Sequence, residues 1–68
     1  MNSDELAPLK KWVHDLNNRV GAILATAELM QMDQQLSDKL RQRAELIESK
    51  SIEVRDLLVQ ISDHYFGR

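Results

Sequence analysis

Sixty-eight residues, with nine Lys plus Arg against eleven Asp plus Glu, a net charge of −2 and no cysteine, make one small domain at most. The lack of Cys excludes a disulfide framework and a thiolate zinc site, and the slightly acidic balance argues against a general nucleic-acid binder. No apolar run approaches the roughly 20 residues of a membrane span, no secretory leader is visible, and a dinucleotide-binding βαβ unit would consume half the chain.

The first element is helical. Leu6, Leu9, Val13, Leu16, Val20, Ile23, Ala27 and Met30 recur at alternating spacings of 3 and 4, an unbroken heptad stripe. Ser3 or Asp4 is a candidate cap, and Pro8 is expected in the first turns, where a missing N–H is tolerated. These signals place helix 1 at about 5–32.

Asp33-Gln34-Gln35-Leu36-Ser37 breaks the stripe, so a loop is expected at about 33–36. The second stripe follows: Leu40, Ala44, Ile47, Ser51, Val54, Leu58, Ile61 and Tyr65, again spaced 4 and 3 with one polar member. Asp33 or Ser37 is the candidate cap, Asp38 suits the positive end of the dipole, and Gly67 is the expected stop. Helix 2 is placed at about 37–65.

A short connection makes the helices antiparallel neighbours. Pairing the stripes end to end gives residue numbers that always add to 70 or 71, so eight layers are expected to stack across the hairpin. Leu24, Leu29, Ile52 and Leu57 widen the apolar face beyond that contact and predict an outer seam. A lone hairpin of this size is marginal, and without disulfides or metal the remedy is a second copy. The expectation is an all-α, two-helix antiparallel hairpin, residues 1–68 forming a single domain, homodimerising into a four-helix bundle.

Within His14-Asp15-Leu16-Asn17-Asn18 the heptad explains Leu16 and leaves His14, Asp15, Asn17 and Asn18 unexplained. Two adjacent Asn in mid-helix and Gly21 one turn on are poor helix formers, and unfavourable local choices on one face point to function. His14 and Asn18, four apart, share that face; Gly21 and Ala25 continue it, and Lys10 and Lys11 lie one turn before. Imidazole is a nucleophile at neutral pH, a carboxylate can take or orient its proton, and an amide can orient a phosphoryl oxygen or a water.

This segment resembles the phosphoacceptor box of sensor histidine kinases, in the subgroup that reads His-Asp-Leu-Asn-Asn. Ile23-x-x-x-Ala27-Glu28-Leu29 and the Leu57-Leu58 pair are similar to the rest of that family's dimerisation and histidine-phosphotransfer domain, so the resemblance covers nearly the whole chain. It implies that His14 is the phosphorylated histidine, Asp15 the adjacent acid assisting proton removal, and Asn18 the residue that orients water for dephosphorylating a partner receiver. It implies that a response-regulator receiver docks on helix 1 at Gly21 and Ala25, and that the domain is cytoplasmic. One departure stands out: where many members have Pro five residues after the histidine, this chain has Arg19.

The chain has no Gly-rich nucleotide loop, so no cofactor is expected on it; the resemblance implies ATP and Mg supplied by a separate or fused ATP-binding domain. Lys10 and Lys11 either support a phosphoryl group electrostatically or form a solvated face. Two distant His do not make a metal site. Two other classes compete. One is a non-catalytic four-helix-bundle module that dimerises or couples signals. The other is an RNA-binding hairpin dimer, for which Lys10, Lys11 and Arg19 supply too few cations.

Overall fold

The computed structural model describes residues 3–67, with side chains from Leu6 onward. Helix α1 (Ser3–Met32) and helix α2 (Asp38–Phe66) are joined by residues 33–37, and there is no strand among the described residues. The two helices form an antiparallel hairpin, a rod of 51 × 15 × 15 Å. The side chains of Ser3 and Asp4, the candidate caps of α1, lie outside the described residues.

Local chemistry explains the ends. Ser37 is the N-cap of α2: its backbone is extended and its side-chain oxygen accepts from the Leu40 amide at 3.2 Å. Asp33 shapes the turn instead, its carboxylate accepting from the Gln35 amide at 2.9 Å. Pro8 stands at the sixth residue of α1, because the helix begins at Ser3 rather than at residue 5. Its missing N–H therefore leaves one helical hydrogen bond unmade. Gly67 does end α2, but in extended rather than left-handed backbone, and a Cβ there would collide with the Asp63 carbonyl.

The loop is held by Arg41. Its guanidinium donates to the Gln31 carbonyl, to the Asp33 carbonyl at 2.8 Å and, more loosely, to the Leu36 carbonyl at 3.5 Å. The last turn of α1 has no basic residue of its own, so Arg41 brings a cation from α2 to the negative end of the α1 dipole.

The core is thin and follows one line of contact. Val13 faces Leu58, Val20 faces Ser51 and Ala27 faces Ala44, all six buried and each pair adding to 71. Leu9 and Phe66 pack against the Val13–Val20–Leu58 cluster. Ser51 is satisfied: its hydroxyl donates to the Ile47 carbonyl at 2.7 Å.

The eight-layer stack needs correction. The layers adding to 70 are not closed: Leu16, Ile23, Leu40, Ile47, Val54 and Ile61 are all exposed, Ile23 by 50%. Two cylinders touch along a line, and a heptad stripe is wider than that line, so only alternate members reach it. The outer seam needs correction too. Leu24, expected on it, is buried in the hairpin, while Leu29, Ile52 and Leu57 are exposed.

Candidate functional site

His14 follows buried Val13 by one residue, about 100° around α1, which carries it off the contact line into solvent. It forms part of the wall of a groove between the helices, about 350 Å³ in volume. The floor is Val13, Leu58, Val59 and Phe66; Lys10, His14, Asn17 and Ser62 supply the polar rim. Leu16 is two residues on, about 160° from His14 by the shorter path. The exposed apolar stripe and the histidine therefore occupy opposite edges of the hairpin.

Asn18 lies where the i, i+4 spacing puts it, with Nδ2 3.4 Å from His14 Nε2. An amide nitrogen donates, and Nε2 accepts from it in the tautomer that carries its proton on Nδ1.

Asp15 is engaged elsewhere. Lys11 Nζ donates to its Oδ2 at 2.8 Å, one turn back along α1. That hydrogen bond holds the Asp15 carboxyl below its ordinary value; desolvation opposes it, and the charges of Lys11, Arg19 and His14 add to the lowering. Arg19 donates to the Asp15 backbone carbonyl at 3.1 Å. Within this arrangement Asp15 is an ionised acceptor bound to Lys11, not a base in contact with the imidazole.

Lys10 and Lys11, adjacent in sequence, therefore have different surroundings: Lys10 on the groove rim, Lys11 in the ion pair. Gly21 and Ala25 are exposed beyond Asn18, and a Cβ at Gly21 would meet no atom within 4 Å. The fold itself does not require a glycine there. Sequence reasoning missed the α2 side of the groove, Val59, Ser62 and Phe66. Its signal was available: these residues stand on the side of α2 that antiparallel pairing brings opposite Lys10 and Asn17.

Among the described residues no group of three or more His, Cys, Asp or Glu could hold a metal ion, and no helix is long and apolar enough to cross a membrane. The chain matches no protein-family model, no curated protein and no solved structure.

Proposed function

We propose that this chain is a dimerisation and histidine-phosphotransfer domain of a two-component signalling system. His14 Nε2 attacks the γ-phosphate of an ATP held with Mg by a separate or fused ATP-binding domain, and ADP leaves. The phosphoryl group then passes from His14 to an aspartate of a response-regulator receiver. That receiver approaches α1 at Gly21 and Ala25, where the absence of bulk lets another backbone come close. The site of action is the cytoplasm. No kinase activity is expected of this chain alone.

One observation carries the reading. The residue that the His-Asp-Leu-Asn-Asn box marks as phosphoacceptor is exposed, with Nε2 turned to an amide donor, on the edge opposite the apolar stripe. A second copy can cover the stripe and leave the histidine free. The two hairpins then form a four-helix bundle in which Leu16, Ile23, Ile47 and Val54 interdigitate.

Reverse phosphotransfer tests the function. A panel of receivers is charged with acetyl phosphate, freed of the reagent and mixed with the chain. Acid-labile phosphate on His14, absent from His14→Gln, is the expected result. A folded dimer that takes no label from any receiver or any kinase ATP-binding domain would make this a non-catalytic dimerisation module.

A further inference from the structure

We propose that the groove beside His14 binds a small acyl phosphate, which phosphorylates His14 directly; this rests on the reading of His14 as a phosphoacceptor. The groove is of ligand size and mixed in character, an apolar floor with a few convergent polar groups. Lys10 offers a positive charge on the rim, and Asn17 and Ser62 offer hydrogen bonds. Leu58, Val59 and Phe66 offer an apolar surface for a short acyl chain. A dianionic head with a small apolar tail matches both halves.

The leaving group excludes phosphate esters, and the apolar floor favours an acyl phosphate over a phosphoanhydride. A phosphate ester must expel an alkoxide, which needs a proton in the transition state. No carboxyl lines the groove, and the nearest, Asp15, is ionised and hydrogen-bonded to Lys11. An acyl phosphate expels a carboxylate, which leaves without a proton. The lone pair of the unprotonated His14 ring nitrogen forms the N–P bond, and the bond from phosphorus to the bridging oxygen breaks. Its electron pair departs on the carboxylate, while the proton on the other ring nitrogen stays on the ring. Lys10 is placed to offset the charge on either end of the donor.

The test incubates the whole chain with acetyl phosphate, butyryl phosphate or inorganic phosphate and locates acid-labile phosphate by mass spectrometry. His64, exposed and outside the groove, is the internal control. Label is expected on His14 and not on His64, with both acyl phosphates and not with inorganic phosphate. Butyryl phosphate should react about fourfold faster than acetyl phosphate, because two further methylenes are half-covered by the floor. Val59→Ser should abolish that preference without loss of fold, since Val59 is half exposed and outside the core cluster. Lys10→Gln should slow both donors. Equal labelling of His64, indifference to chain length, or an acyl rather than a phosphoryl group on His14 would overturn the proposal. Label by reverse transfer but not from acyl phosphates would overturn the donor site alone. Label from neither route would remove the phosphoacceptor reading as well.

Discussion

The two edges of the hairpin are built from adjacent residues and have opposite chemistry. On one edge α1 sets Leu9, Leu16, Ile23 and Met30 beside Leu40, Ile47, Val54 and Ile61 of α2, and all eight are apolar. One residue further along the chain in every case lie Lys10, Asn17, Leu24 and Gln31, with Arg41, Glu48, Arg55 and Ser62, and only one is apolar. A step of about 100° around a helix takes the surface from one set across the contact line to the other. Backbone geometry is nearly symmetric about that line, so the side chains alone decide which edge takes a partner. The same asymmetry leaves the histidine edge open to solvent.

The most severe way to break this comparison is to place charge on the apolar edge. Ile23→Glu together with Ile47→Glu puts carboxylates at the centre of the proposed dimer contact, where desolvation opposes them. The dimer constant should weaken by at least about a thousandfold, read by sedimentation equilibrium, since central interface positions cost ~2 kcal/mol or more each. His14→Gln should leave association unchanged. A charged variant that still dimerises would show that the stripe is not the contact.

Arg41 sharpens the comparison from the other side, because it is polar-edge but structural. Its guanidinium serves carbonyls at the end of α1 and in the loop. Arg41→Ala should cost about 2 kcal/mol, the scale of charge-assisted bonds to partly buried carbonyls, measured by urea unfolding of the protein. Label transfer to His14, about 27 Å from the loop end of α1, should persist. A loss below about 0.5 kcal/mol would mean that the loop holds itself.

Much of this architecture was legible because spacing is a direct image of helical geometry. The 3-and-4 recurrence gave both helices, and the reciprocal numbering of the stripes gave the antiparallel pairing. What spacing could not give was the division of labour inside the stripe. Leu16 and Val20 look alike in an apolar pattern, yet one is half exposed and the other buried, because the contact line of two helices is narrower than the stripe. Leu24 illustrates the converse, an apolar residue on the polar edge that the hairpin buries by itself. The site was legible on α1 and dark on α2, since the box lies in one short segment while Val59, Ser62 and Phe66 join it only through pairing. The pairing of Lys11 with Asp15 follows from i, i+4 spacing, but the same spacing also allows a free lysine.

Gly21 separates what the fold needs from what a partner needs. No atom stands within 4 Å of its missing Cβ, so Gly21→Ala removes a helix-interior glycine without a clash. It should stabilise the fold by about 1 kcal/mol in thermal or urea unfolding. If the glycine serves receiver approach, the same variant slows reverse transfer several-fold while His14 remains chemically reactive. A stabilised variant with undiminished transfer would move the receiver contact off Gly21.

The smallest effect concerns Asp15, and it tests which neighbour governs that acid. Its carboxyl is held below the ordinary value of 3.8, first by the hydrogen bond from Lys11. A lowered folded value stabilises the fold at pH above the unfolded value, and that contribution disappears as pH falls through the folded one. The window therefore lies below about pH 4, and because the pair is exposed the change in stability is slight. Titration of the Asp15 carboxyl by NMR is the sensitive readout. Lys11→Gln should raise its midpoint toward the ordinary value, whereas His14→Gln should move it far less, because the imidazolium is the last and weakest of the influences on it. The opposite ordering would tie Asp15 to the imidazole rather than to Lys11.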